Sequence, residues 1–363
     1  MFFRFPMILP AGMMIPAAAF YLAAGQVQAT EPECVSGEGY EAICGIAPPE
    51  DLEPTPDNQF MFMGITPGLD GGQLPRLQII SRRDYQASDI DLVIDAETGW
   101  GDPECEAPEQ PMGAHGIHLS ERDDGRHQLL VVNHNGREAI EFLEVAPADG
   151  TWSTTWRGCV ENSEGLGRFN DVAALPNPED GFVATVMFEA EDMHNPPALD
   201  ELLSGKDTGY LMAWSPSEGL SKIPGSDAPF PNGIEISEDG RYAWFAAWTA
   251  REVHKFDLDE QRTRAQISVG FMPDNLSWDA NGRLLAAGIR SADTFAHCMT
   301  NRLADCPFGF KVAAIDPGSN TSETLFTADA GVLAGVSVAV QVEDYIYVGA
   351  FNGDRMIRLN PRP

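Results

Sequence analysis

The feature that most constrains this chain is a turn that recurs six times. Asp or Asn, usually beside Gly, separates two short apolar or β-branched runs at Thr55-Pro-Asp-Asn58, Asp123-Asp-Gly125, Pro178-Glu-Asp-Gly181, Glu238-Asp-Gly240, Asp279-Ala-Asn-Gly282 and Val342-Glu-Asp344. These residues hydrogen-bond their own backbone and tolerate positive φ, so they end one strand and start the next. The units run to roughly 40–70 residues against the ~40–50 of a typical propeller blade, and therefore read as blades with loop insertions. No heptad repeat and no long amphipathic helix competes with this pattern. It predicts an all-β chain folded as a six-bladed β-propeller. A β-sandwich or jelly roll is the all-β alternative, and one such turn per radial unit favours the propeller. The clearest hairpin joins Gln128–His134 to Arg137–Val145 through Asn135-Gly136. Between Glu189 and Gly209 the β pattern breaks, and Asn195–Ser204 reads as a short helix started by proline, a candidate lid.

The N-terminus bears on the compartment. Met1–Pro6 carry one positive charge, Arg4, Met7–Ala24 are uncharged and mostly apolar, and Val27-Gln-Ala29 offers small residues to a signal peptidase. That pattern predicts a signal peptide over 1–29, cleaved between Ala29 and Thr30, ahead of one propeller domain over 30–363. A retained anchor is the alternative, but Pro10 and Pro16 interrupt the stretch and no second run of membrane length follows. A periplasmic or secreted protein with no stable membrane anchor is expected. Six cysteines all follow the predicted cleavage point, and none forms a Cys-x-x-Cys pair, so disulfides are expected rather than zinc or redox chemistry. Cys34 with Cys44 and Cys298 with Cys306 would close short loops and leave Cys105 to Cys159. The sequence alone leaves fifteen connectivities open.

Charge narrows the partners. With 55 acidic against 23 basic residues the net charge is −32, which disfavours nucleic acid because that needs a basic surface. Either the surface is simply acidic and solvated, or specific carboxylates bind a divalent cation through hard oxygen ligands.

Specific carboxylates do recur. A polar group at the start of a strand precedes each turn: Glu50-Asp51, His115-Gly-Ile117, Asn170-Asp171, Asn232-Gly233, Asp274-Asn275 and the Gly335-Val-Ser337 region. In a propeller the strand before this turn is the innermost of its blade, so the mouths of these strands converge on one channel. Glu50, Asn170, Asn232, Asp274 and Asn275 would supply five oxygen ligands there, a set that suits Ca²⁺ better than zinc or copper. Asn-Gly and Asp-Asn are also ordinary turn residues. Recurrence at one phase, just before apolar strands such as Val172–Leu175, is what singles these out. No Gly-x-Ser-x-Gly elbow supports a serine esterase.

With those residues in view, the chain resembles the paraoxonase/arylesterase family and, more distantly, the gluconolactonase-like propellers. The resembling stretches are Pro111–His118, Leu129–His134, Phe169–Leu175, Phe230–Gly240, Pro273–Asp279 and Gly331–Ser337, in family order across most of the mature chain. The resemblance implies a six-bladed propeller with two calcium ions in its channel. It implies that Glu50, Asn170, Asn232, Asp274 and Asn275 hold an exposed, catalytic ion. Asp51, Asp171 and the Ile117 carbonyl would hold a deeper, structural one. His115, backed by His134, corresponds to the pair that activates water in a calcium-dependent hydrolase of lactones and aryl esters. A monomer acting on a small lactone or ester is expected. A sugar lactonase and a non-catalytic, calcium-stabilised binding propeller are the alternatives. The pocket departs from the paraoxonase branch: Ala184–Phe188 lacks its Asp-His pair, Gly288-Ile-Arg290 lacks a further histidine, and no cysteine after Cys306 ties the chain ends together.

Overall fold

The computed structural model describes residues 34–162, 167–189 and 197–360. The predicted signal peptide and its cleavage point lie outside the described residues, as do residues 190–196 of the predicted lid. Six antiparallel-rich sheets stand around a channel. Their inner strands are Asp51–Pro54, Ala114–Glu121, Arg168–Ala174, Pro231–Ile236, Met272–Trp278 and Val336–Val342. Each contacts the inner strands on either side, and the sixth meets the first, so the ring closes. The chain is a six-bladed β-propeller.

The recurring turns lie where the sequence places them, between the inner and second strands of each blade. The second strands are nearly continuous apolar runs, and Phe182–Phe188 and Leu284–Ile289 are buried at every position. A strand sandwiched between two neighbouring blades has no solvent face, so alternation disappears. Six apolar cores result, one per blade interface. Between blades two and three, Leu130, Val132 and Phe142 meet Phe169, Phe182 and Trp214. Between blades four and five, Trp244, Val253 and Phe271 meet Leu284, Ala286 and Ile315. Each such side chain contributes about 1.5–3 kcal/mol on burial.

The ends of the ring are joined without a covalent tie between them. Tyr40–Cys44 adds as the outer strand of the last blade, antiparallel to Arg355–Leu359, with Tyr40 opposite Leu359 and Cys44 opposite Arg355. The three disulfides are Cys34–Cys44, Cys105–Cys159 and Cys298–Cys306, with Cα–Cα separations of 5.9, 5.6 and 6.1 Å. Cys105–Cys159 pins the acidic, proline-rich insert of blade two, whose strand Leu92–Ile94 runs parallel to Thr154–Trp156 as a fifth strand.

Two local readings change. The Asn135-Gly136 hairpin closes on the pair Asn133–Ala139, so its connection spans His134–Glu138 rather than two residues. The side chains at its two ends bond to one another instead of extending the ladder. A ten-residue helix, α2 (Ala292–Asn301), follows the second strand of blade five, where the sequence pattern showed none. Ser291 caps it by accepting the Thr294 N–H at 3.1 Å, and the Cys298–Cys306 disulfide staples its last turn to the chain beyond. The described part of the lid segment holds a single helical turn, α1 (Leu199–Leu202), with no side-chain N-cap bond. Among the described residues no helix is long and apolar enough to cross a membrane.

Candidate functional site

Five of the six inner strands carry the same irregularity. In each, two residues face one on the second strand: His115-Gly116, Asn170-Asp171, Asn232-Gly233, Asp274-Asn275 and Ser337-Val338. These are the predicted polar stations. In a regular strand adjacent side chains point to opposite faces, so two consecutive polar residues could not both serve the channel. A β-bulge bends the strand and re-aims the extra residue. The bulged backbones also approach very closely. A Cβ at Gly116 would stand 2.3 Å from Asp171 Oδ1, and one at Gly233 would stand 2.4 Å from the Asn275 Cα. Only glycine fits there.

The bulges deliver two layers of oxygen. Glu50, Asn170, Asn232 and Asp274 line a cavity of about 400 Å³ at the starts of the inner strands. Asn275 lies beside them, its Nδ2 donating to both the backbone carbonyl and Oε1 of Glu50 at 3.0 Å. Ser337, the sixth station, donates to the same carbonyl at 2.6 Å. All five candidate ligands are buried, at 1–6% exposure. Yet Glu50 Oε2, Asn170 Oδ1, Asn232 Oδ1 and Asn275 Oδ1 have no hydrogen-bond partner among the described residues. An unsatisfied buried acceptor costs about 1–3 kcal/mol, and four of them on four blades converge here. Burial first, then the nearby Glu50 charge, pushes the Asp274 carboxyl well above its ordinary range, opposed by a hydrogen bond from Asn232. Among the described residues no three His, Cys, Asp or Glu side chains form a metal cluster by themselves. The set is two carboxylates and three amides.

Asp51, Asp171 and Ile117 form the second layer and line a separate cavity of about 220 Å³ with Glu53, His118 and Glu235. Asp51 accepts N–H bonds from Leu52 and from Ile117 of the next blade, both at 2.8 Å. Asp171 does the same with Val172 at 2.7 Å and Ile234 at 2.8 Å. Burial raises both carboxyls well above the usual range. The next cause is the charge of Glu50 for Asp51 and the charge of Asp51 for Asp171.

His115 stands at the rim of the first layer. Its Nδ1 is 2.9 Å from His134 Nε2, and its Nε2 is 3.6 Å from Glu50 Oε1. His134 Nδ1 lies 2.9 Å from Glu138 Oε2. Burial pulls the His134 imidazole down to about 4, so it is neutral at physiological pH.

Sequence reasoning missed Glu138 and the walls. Glu138 stands four residues after His134 across a turn, a spacing that carries no signal until the loop closes. The walls are apolar: Leu69, Met187, Phe188, Leu199, Leu202, Leu203, Phe230, Trp248, Phe295, Met299 and Phe351. They come from loops of several blades and from both helices, which no local pattern connects. A larger cleft of about 810 Å³ by Tyr242, Lys255 and Trp278 contains none of the candidate ligands.

Residues 100–303, more than half of the chain, match the family model described as the SMP-30/gluconolactonase/LRE-like region. The chain belongs to that family. It is 24% identical over 334 residues to rat serum paraoxonase/arylesterase 1, covering 88% of this chain and 86% of the relative. It is 24% identical over 179 residues to the strictosidine synthase-like 7 protein of Arabidopsis thaliana, covering 44% of this chain and 47% of the relative. The chain thus spans about half the length of that relative. A solved luciferin-regenerating enzyme shares the fold at 13% identity, with a TM-score of 0.52 over 88% of this chain and 92% of that one. The three disulfides fit folding in an oxidising compartment.

Proposed function

We propose that this chain is an exported, calcium-dependent hydrolase of lactones or carboxylic esters, aryl esters included. The observation that carries the reading is the convergence of four orphaned, buried oxygens beside His115. Glu50, Asn170, Asn232, Asp274 and Asn275 would hold one ion, their two negative charges balancing a divalent cation. Asp51, Asp171 and the Ile117 carbonyl would hold a second. The donors are all hard oxygens on rigid strands, which fits Ca²⁺. When bound, the first ion supplies an electrophile that polarises a carbonyl and favours the oxyanion that forms from it.

The remaining steps belong to side chains. His115 Nε2 takes a proton from water as the water oxygen bonds to the carbonyl carbon. The acyl C–O bond then breaks, and the departing alkoxide recovers that proton from His115. His134 holds the His115 ring in place through the 2.9 Å contact. The walls bind the organic part of the substrate and exclude water. Their composition favours aliphatic or aromatic groups over polyhydroxylated sugars, which argues against the sugar-lactonase alternative. The name arylesterase on the rat relative points the same way. Export with cleavage after Ala29, leaving one domain over 30–363, completes the proposal.

Lactone and aryl-ester hydrolysis measured before and after chelation tests it. Activity should vanish with calcium and return on its addition, and His115→Gln should lower turnover by about 10²-fold or more. Undiminished turnover in fully calcium-free protein overturns the mechanism.

A further inference from the structure

The connection His134–Glu138 holds a feature that the hydrolase reading does not use. Glu138 is as buried as His134, each side chain 11% exposed. Both of its carboxylate oxygens are engaged. Oε2 is 2.9 Å from His134 Nδ1, and Oε1 accepts the Phe169 N–H at 2.6 Å, one residue before Asn170. The contacts continue from His134 Nε2 to His115 Nδ1 at 2.9 Å. Only the last, His115 Nε2 to Glu50 Oε1 at 3.6 Å, is too long for a hydrogen bond.

Proton counting fixes the direction of this chain. An ionised carboxylate only accepts, so the single proton of a neutral His134 must sit on Nδ1. His134 Nε2 then offers a lone pair, and His115 must place its own proton on Nδ1 to meet it. His115 Nε2 is left with a lone pair facing the channel. We propose that Glu138 is a positioning residue that sets the tautomers of His134 and His115 in series and so leaves His115 Nε2 free to accept a proton. The catalytic consequence rests on the hydrolase reading; the tautomer assignment does not. Burial of His134 and the Arg168 charge beside it keep that ring neutral despite Glu138, so each of the two rings carries a single proton.

Glu138→Gln separates this role from simple packing. The Phe169 N–H requires an acceptor, which the amide oxygen supplies, so the amide NH₂ turns to His134 Nδ1. A donor there forces the proton of His134 to Nε2 and that of His115 to Nε2, reversing the chain. The experiment is ¹⁵N NMR of the full, calcium-loaded protein labelled at histidine, with kinetics alongside. Wild type should show both rings protonated at Nδ1, and E138Q both at Nε2. E138Q should also lose at least about tenfold in kcat, as a base held in the wrong tautomer does. KM and calcium affinity should stay within about twofold. Glu138→Asp keeps a carboxylate and should retain the wild-type tautomers with a smaller loss. Nδ1 protonation that survives in E138Q, or wild-type rings protonated at Nε2, overturns the proposal, and the wild-type spectrum decides even where a variant fails to fold. Correct tautomers in a protein that hydrolyses no lactone or ester would uphold the assignment and overturn the hydrolase reading alone.

Discussion

In the cavity at the starts of the inner strands, Glu50 Oε2 and three amide oxygens have no partner among the described residues. One residue deeper, Asp51 and Asp171 have both carboxylate oxygens occupied by backbone N–H groups, one from their own strand and one from the next blade. The layers face different cavities. The bulges make this division possible, because they let neighbouring residues of one strand enter the channel at two depths. The deeper aspartates are stitches, joining blade one to blade two and blade three to blade four. The upper layer is tied as well, by the Asn275 amide on Glu50, but it keeps one free oxygen on each of Glu50, Asn170, Asn232 and Asn275 among the described residues. Under the proposed function, oxygens left free are open to a cation and a substrate, whereas the deeper ones would couple ion binding to folding.

The comparison is broken if the two layers respond alike to substitution. Asp274→Asn should lower ester or lactone turnover by roughly 10²–10³-fold, the scale seen when one stabilising group is withdrawn from an oxyanion, with little change in the urea midpoint. Asp171→Ala should do the reverse. It removes two hydrogen bonds to a charged acceptor, each worth about 1.5–3 kcal/mol, so denaturant unfolding should register a loss of about 3 kcal/mol. Turnover per folded molecule should change far less.

A pH series sharpens the same contrast. In the metal-free protein, burial raises the Asp51, Asp171 and Asp274 carboxyls above their unfolded values near 4. The folded state then binds protons that the unfolded chain releases, so this contribution is present below about pH 4 and is lost as pH rises through the raised values. A bound cation replaces those protons. The gap between calcium-loaded and chelated melting temperatures should therefore widen by at least about 5 °C from pH 5 to pH 8. The smallest effect belongs to the walls. Phe295→Ala deletes a ring that packs edge-on against Trp248 at 4.9 Å, and should raise KM for aromatic esters about tenfold, a fraction of the free energy of burying a Phe side chain, while kcat is nearly unchanged.

Much of this was legible in the chain. Asp/Asn turns set the number of blades, and a polar group at the start of each inner strand marked the channel stations, five of which the structure shows to be bulges. The walls and Glu138 were not legible, for two reasons. Leu69, Phe230, Trp248, Phe295 and Phe351 are far apart in sequence and meet only because the ring brings their loops to one face. Helix α2 gave only a weak signal, the Ser291 cap and Asp293 in its first turn. The Asn135-Gly136 turn pointed to a tight two-residue loop, but the His134–Glu138 contact won over the last ladder bonds.

By itself, then, the sequence determined the number of blades, the turns, the radial architecture and the identity of the candidate channel oxygens. These depend on local backbone preferences and on a periodicity that each blade repeats. Tertiary structure alone decided which of those oxygens go unpartnered among the described residues, which cavity each faces, and how Glu138, His134 and His115 line up. Those properties depend on distances across blade interfaces, which no local pattern in the sequence encodes.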